Sequence, residues 1–225
     1  MVTDIEAKIS YVFNDKKLLK QAMTHSSYSG EFGMPSNERL EFIGDAFLDA
    51  VIGHDLFRRL PYAKEGVLSK TRAQIVCAES LAAIGIKLGL DKEIFLGHGE
   101  ENNSGRNNKN IIADALEALI GALYLDGGFM VTEEFIELFF NETIDKAIAG
   151  ELNFDYKSRL QEIIQKKYGN TPIKYAVVSE SGPEHRKHFN IQVEIQGKIL
   201  GLGEGSTKKE AEKEAAKYAL QKGDF

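Results

Sequence analysis

Cysteine is nearly missing from this chain of 225 residues: Cys77 stands alone, so no internal disulfide can form. That scarcity fits a reducing, cytoplasmic setting. Long hydrophobic runs are missing too. No stretch reaches the roughly 18 apolar residues of a membrane helix without meeting a charge, so no membrane partner is expected. The first residues, Met1-Val-Thr-Asp-Ile-Glu, offer neither the basic start nor the apolar core of a signal peptide. The five histidines (His25, His54, His98, His185 and His188) do not pair at ligand spacing with one another or with Cys77. Histidine and cysteine are therefore poor candidates for metal ligation. The Glu-x-x-His pairs of a di-iron bundle are lacking. Gly203 and Gly205 do not complete a dinucleotide fingerprint, and there is no Walker motif. No internal repeat or low-complexity tract is visible.

Positive charge is short overall, with a net of −6, and the shortage is uneven. Residues 1–150 hold 15 Lys+Arg against 23 Asp+Glu, a net of −8, whereas residues 151–225 hold 13 against 11, a net of +2. Cations should gather on the first part, and any nucleic-acid contact of the second must come from local clusters. The pattern of elements divides the same way. Up to about residue 149, apolar residues recur at helical spacing in Ile5–Val12, Lys16–Met23, Asn37–Leu60, Gly66–Leu88, Asn110–Leu125 and Thr132–Ile148. Ser29–Ser36, the polar Gly97–Asn108 segment and Gly127-Gly128 read as breaks, and Thr132-Glu-Glu as a capped helix start. Residues 150–154 read as a linker. Beyond it, Asp155–Tyr168 is helical, Ile173–Ser179, His188–Ile195 and Lys198–Gly203 are strand-like, and Gln196-Gly197 suits a tight hairpin. A last helix follows from Thr207. The expected fold is an all-α domain over 1–149, then a small α+β domain over 155–225 with the order α-β-β-β-α.

What the first domain does contain is acid in the wrong place. Glu38, Glu41 and Asp45 line one helix face at spacings of three and four, and Asp114 and Glu117 are three apart. Asp114 and Glu117 lie in Ile111-Ile-Ala-Asp-Ala-Leu-Glu-Ala-Leu-Ile-Gly-Ala-Leu-Tyr-Leu125, apolar nearly all round, as buried helices are. A buried carboxylate neutralises or finds a positive partner. With only oxygen ligands on offer, Mg²⁺ is the expected partner, with Mn²⁺ a possible substitute. Gly44, beside Asp45 in mid-helix, costs about 1 kcal/mol against alanine and points to close approach of a backbone or a ligand. These residues suit a metal-dependent phosphodiesterase; a structural metal site is the alternative reading. For Glu38 a solvated surface acid is the secondary reading.

Asn37-Glu-Arg-Leu-Glu-Phe-Ile-Gly-Asp-Ala46 closely resembles the signature of the ribonuclease III family, with Ile43 where leucine is common. Ala113-Asp-Ala-Leu-Glu-Ala-Leu-Ile-Gly-Ala122 is similar to that family's second acidic block. Thr24-His-Ser-Ser and Glu65-Gly-Val-Leu-Ser69 also match, and the resemblance covers essentially the whole chain. It implies a homodimeric endoribonuclease that cleaves double-stranded RNA with Mg²⁺, leaving 5′-phosphate and 3′-hydroxyl ends with a short 3′ overhang. Precursor ribosomal and other structured RNAs would be its substrates. Glu41, Asp45, Asp114 and Glu117 would form the metal-binding and catalytic set, with Asp45 and Glu117 tied most directly to hydrolysis. Glu38 and Glu65 would be acids of lesser weight. Phe42 would pack into the partner subunit, unless it is a core aromatic of its own.

In the tail, Thr207-x-x-Glu210 is a capping box. Lys208 and Lys209 follow in the first turn, where lysine opposes the helix dipole but suits a docking phosphate. This segment resembles the third contact region of double-stranded-RNA-binding domains. Gln161 and Glu162 on the first helix, and His185 in the loop after the first strand, occupy the two minor-groove positions of that resemblance. Such a surface reads A-form shape and 2′-hydroxyls rather than sequence. Many such domains carry a further basic residue where this chain has Glu212, so intrinsic affinity is expected to be modest. The runner-up function is a double-stranded-RNA binder without catalysis, which would have no need for four clustered acids.

Overall fold

The computed structural model describes residues 4–152, 156–182 and 187–223. They form two compact units, Met1–Leu152 and Asn153–Phe225.

The first unit is helical. Its elements are α1 (Asp4–Ile9), α2 (Lys16–Ala22), α3 (Ser26–Phe32), α4 (Glu38–Arg59), α5 (Glu65–Ile75), α6 (Ala78–Leu88), α7 (Leu90–Glu93), α8 (His98–Asn102), a 3-10 turn (Gly105–Asn107) and α9 (Lys109–Ile148). The first half of α9 is the axle of the unit. Ile112, Ala115, Leu116, Leu119, Ile120 and Leu123 on it are all but inaccessible, and Leu48, Ile52 and Leu56 of α4 pack into the same core. By length and composition α9 could cross a membrane, but half of its most apolar stretch is buried inside this unit.

Two glycines let α4 and α9 cross at backbone distance. A Cβ on Gly44 would collide with the Glu117 carbonyl and lie 2.9 Å from the Gly121 nitrogen. A Cβ on Gly121 would collide with the Leu40 carbonyl and lie 2.9 Å from the Ile43 side chain. The mid-helix glycine beside Asp45 thus marks a close backbone, as its position suggested.

Several boundaries differ from the sequence pattern, each for a local reason. Residues 66–88 form two helices, because Val76 leaves helical geometry and extended Cys77 caps α6. Ser29–Ser36 is not a break throughout: α3 runs to Phe32, capped at its start by His25, whose ring accepts from the Ser27 N–H. The polar segment 97–108 holds a short helix and a 3-10 turn. Thr132 starts nothing. The break in α9 is at Gly128, whose φ of 78° and ψ of −173° are open essentially to glycine alone. Thr132 lies one turn inside the second half, buried, with its hydroxyl donating to the Gly128 carbonyl at 3.0 Å. Just before the break, the Asp126 carboxylate accepts from Tyr11 Oη and from the Asn14 and Asp15 N–H groups, which fastens the N-terminal loop to α9.

The second unit is α10 (Tyr156–Tyr168), β1 (Lys174–Ser181), β2 (His188–Ile195), β3 (Lys198–Gly205) and α11 (Lys208–Lys222), the α-β-β-β-α order read from the sequence. The sheet is an antiparallel meander, β1-β2-β3. Gln196 and Gly197 both take positive φ, 49° and 81°, the signature of a type I′ hairpin turn. One face of the sheet is covered: Val193, Ile195 and Leu200 meet Leu160 and Ile164 of α10 and Ala215, Ala216 and Ala219 of α11.

Replacing Gly44 by alanine should force α4 from α9 and cost about 1–3 kcal/mol, the usual range for overpacking. For a chain of this size that lowers the melting temperature by roughly 3–10 °C. A thermal melt of Gly44→Ala equal to the parent would show that the crossing can relax without cost.

Candidate metal centre and RNA-facing surface

The crossing of α4 and α9 decides where the acids go. Glu41 precedes Gly44 by one turn on α4, and Gly44 rests against the backbone of Glu117 on α9. The result is a cluster in which Glu41, Asp114 and Glu117 each present a carboxylate oxygen, all within 4.8 Å of one another. All three are half-buried. Asp45, the fourth acid of the sequence reading, is exposed and is not one of this set. It lies one helical turn beyond Glu41, and its charge is felt at both Glu41 and Glu117.

Crowding and burial act on the cluster in the same direction. Glu117 is pushed up to about 8, first by burial and then by the charges of Asp45, Asp114, Glu41 and Asp49. Glu41 is raised by burial and by Asp114, Glu38 and Asp45. Asp114 is raised by burial, with the His25 charge opposing. Three raised carboxyls facing one another make a site that favours a proton or a metal cation over standing empty and ionised. The donor set is oxygen only, which fits a hard divalent ion.

Glu38 and Glu65 are exposed and outside the cluster. Glu38 accepts from Ser36 Oγ at 2.7 Å and adds negative charge near Glu41. Glu65 opens α5 and accepts from Ser69 Oγ at 2.7 Å. Two neighbours escaped the sequence reading. Asp49 continues the α4 row at i+4 from Asp45 and raises Glu117; its carboxylate faces Arg72 Nε of α5 at 3.6 Å. The Glu41-Asp45-Asp49 spacing could have revealed it. His25 faces Asp114 electrostatically because its backbone is held by Phe95: the His25 N–H donates to the Phe95 carbonyl at 3.1 Å, beside the Thr24–Phe95 bridge. Only the Thr24-His-Ser-Ser block hinted at that.

Phe42 is not a core residue of its own unit. It is 77% exposed, beside a hollow of about 600 Å³ lined by Leu18, Gln21, Arg39, Ile43 and Leu125 among others.

In the second unit, Gln161 and Glu162 are exposed on α10. Lys208 and Lys209 are exposed in the first turn of α11. Thr207 caps that helix, its Oγ1 accepting from the Glu210 N–H at 3.1 Å, while the Glu210 carboxylate reaches back to Ser206 N at 2.9 Å. The Lys208 ammonium rests over the Phe189 ring, 5.7 Å from its centroid. His185 lies outside the described residues. Glu212, the acid standing where a basic residue is common, receives Lys157 of α10 at 2.6 Å.

Comparison with known proteins agrees with both units. Residues 15–144 match the family model described as Ribonuclease-III-like, and residues 156–222 match the double-stranded RNA binding motif. A Ribonuclease 3 from Caldanaerobacter subterraneus is 46% identical over 224 residues, covering 99% of this chain and 98% of its own. One from Pseudothermotoga lettingae is 41% identical, covering 99% and 95%. Among solved structures, a nuclease domain of ribonuclease III from Campylobacter jejuni, reported as flexible in a region involved in dimer formation, is 41% identical with a TM-score of 0.58. That match covers 63% of this chain and 99% of the Campylobacter one. An acidic cluster on crossed helices, a sheet-and-helix unit carrying a double-stranded RNA binding motif, and relatives alike from end to end lead to one statement: this chain belongs to the ribonuclease III family.

Proposed function

We propose that the chain is a homodimeric endoribonuclease that hydrolyses double-stranded RNA with Mg²⁺. Mn²⁺ is an acceptable substitute. The observation that carries the reading is the convergence of Glu41, Asp114 and Glu117 within 4.8 Å, in a chain whose other unit matches a double-stranded RNA binding motif. Precursor ribosomal and other structured RNAs are substrates of the proposed kind, and the proposed setting is the cytoplasm.

Glu41, Asp114 and Glu117 are assigned as the residues that hold the ion. Bound there, Mg²⁺ supplies Lewis-acid stabilisation of phosphate charge and a more acidic water. The residues of the chain do the rest. Burial and the neighbouring acids push Glu117 up to about 8, so a proton competes with a cation for its carboxylate near neutral pH. Asp45, open to solvent one turn away, is assigned to orienting the attacking water. Water adds to phosphorus, the bond to the 3′ oxygen breaks, and that oxygen leaves as a hydroxyl. The products are a 5′-phosphate and a 3′-hydroxyl. Phe42, too exposed for a lone subunit, is assigned to the contact with a second copy. Two sites in a dimer cut the two strands with a stagger, which leaves the short 3′ overhang.

Residues 1–149 are the proposed nuclease domain, 150–154 the linker and 155–225 the RNA-binding domain. Gln161, Glu162 and His185 are assigned to minor-groove contacts, and Lys208 and Lys209 to the phosphates between them.

The raised carboxyls fix the sign of the pH dependence. Because Glu117 is pushed up to about 8 when folded and lies near the ordinary 4.5 when unfolded, the folded metal-free protein binds the extra proton in that window. Its contribution to stability is full below the lower value and is lost as pH rises through the upper one. The melting temperature of the metal-free protein should therefore fall between about pH 5 and 8, and Glu117→Gln should flatten that fall. Mg²⁺ displaces the same proton, so its affinity should rise by about tenfold per pH unit between roughly pH 6 and 7.5. A calorimetric titration flat over that range would remove Glu117 from the site.

Long duplex RNA should be cut with Mg²⁺ and left intact with EDTA. Glu117→Gln should keep folding, dimerisation and RNA binding while losing at least about 100-fold in cleavage rate. Intact RNA with Mg²⁺ present would favour the binder without catalysis, and near-normal cleavage by the variant would sink the role of Glu117. Lys208→Ala with Lys209→Ala should weaken duplex binding by about tenfold at moderate salt and lower its salt dependence. Gel-shift titrations at two salt concentrations decide it; unchanged affinity would take both lysines off the RNA surface.

A further inference from the structure

Lys157 of α10 and Glu212 of α11 form an ion pair, Nζ to Oε2 at 2.6 Å. The same ammonium lies over the Tyr175 ring of β1, 4.6 Å from its centroid. Lys157 precedes Gln161 by four residues on α10, and Glu212 follows Lys208 by four on α11, so each shares a helix face with a residue assigned to the duplex. The pair therefore bridges the two helices on the side where the minor-groove and phosphate contacts are assigned. Neither partner is sealed off: the side chains are 41% and 29% exposed. A phosphate arriving there meets a neutral pair, where Lys208 offers it an ammonium resting on an aromatic ring.

Counterion release makes the difference measurable. Each cation that neutralises a phosphate steepens the fall of affinity with salt. A lysine already matched by a carboxylate adds little to that slope. An ion pair this exposed is weak enough to be exchanged for another partner.

We infer that Glu212 masks Lys157 as a phosphate ligand and thereby limits the grip of this unit on duplex RNA. The inference rests on the assignment above of this face to the duplex. Removing the carboxylate frees a cation that Tyr175 already holds in place. The acid is thus a setting of affinity: binding tight enough to position a duplex, loose enough to release cut products.

The test uses the full chain in EDTA, so that a duplex of about 20 base pairs, long enough for one such domain, is bound and not cut. Affinity is measured over a salt series, with thermal melts to confirm folding. Glu212→Gln should bind about fivefold tighter at 0.1 M salt, and its log–log salt slope should steepen by about one. Adding Lys157→Met, which keeps the apolar stem over Tyr175, should return the slope to that of the parent. An unchanged slope or weaker binding for a folded Glu212→Gln would make the pair a structural clamp and overturn the inference. A double variant that kept the steeper slope would overturn it as well. Should Glu212→Gln melt early, Glu212→Ala is read by the same two criteria. The pair Lys208→Ala and Lys209→Ala separates the two levels: loss of binding there with no effect at Glu212 defeats the masking alone, whereas unchanged binding there defeats the assignment of the face.

Discussion

The nuclease unit depends on one steric fact: at Gly44 and Gly121 the backbones of α4 and α9 touch. A methyl group at either position would drive into a carbonyl of the other helix. Without that contact Glu41 would stay on one helix surface and Asp114 with Glu117 on another, each able to hydrate separately. With it, three carboxylates from two helices share a space 4.8 Å across. The apolar surroundings of the contact, from Leu40 and Leu48 to Leu116 and Ile120, supply the burial that holds the helices there. Packing energy that is ordinary elsewhere in the core is here used to force like charges together.

The cost appears in the titration behaviour. Glu117 carries the largest shift because it is the best buried of the three and faces four other acids. Such a site is frustrated when empty and ionised, and a proton relieves it poorly compared with a divalent cation that can bind several oxygens at once. The frustration is thus a form of preorganisation: the carboxylates are brought together by helix contacts remote from the cluster itself. Asp45 differs in kind. It is exposed, lies outside the set of three carboxylates, and acts on Glu41 and Glu117 through its charge.

Much of this was legible in the sequence, and the parts that were not share a cause. Acids inside the apolar run around Asp114 and Glu117, and the glycine beside Asp45, forecast a half-buried acidic cluster and a close crossing because both signals are local: a pattern on one helix and a residue type at one position. The hairpin at Gln196-Gly197 and the cap at Thr207 were legible for the same reason. The misread elements turn on alternatives of similar local strength. Gly127-Gly128 and Thr132 both looked like boundaries, and only the chain's path decided that Gly128 makes the break while Thr132 donates back to it. The break at Val76-Cys77 interrupts an unbroken helical pattern, so tertiary packing overrode propensity there. Asp45 lies one turn beyond Glu41 and outside the set of three carboxylates; i,i+4 spacing fixes only the shared helix face. His25 reaches Asp114 through the pairing of Thr24 with Phe95, some 70 residues away in sequence, and no short pattern encodes that.

The distribution of charge then constrains how substrate and ion must cooperate. Residues 1–150 carry a net of −8, with Glu38, Asp45 and Asp49 beside the cluster. A polyanion approaching that face is repelled until a cation inverts the local sign. Whatever lowers the free energy of the phosphate in the site therefore lowers that of the ion by the same amount, since coupling between two ligands is reciprocal. The net charge of the nuclease unit offers a duplex no attraction, whereas the second unit presents exposed Lys208 and Lys209, with Lys157 tied to Glu212. A second unit gripping RNA strongly in its own right would hold duplex whether or not the nuclease centre was loaded. A modest grip, of the kind proposed above, would make productive binding conditional on the ion, so that RNA would be retained best where it can be cut.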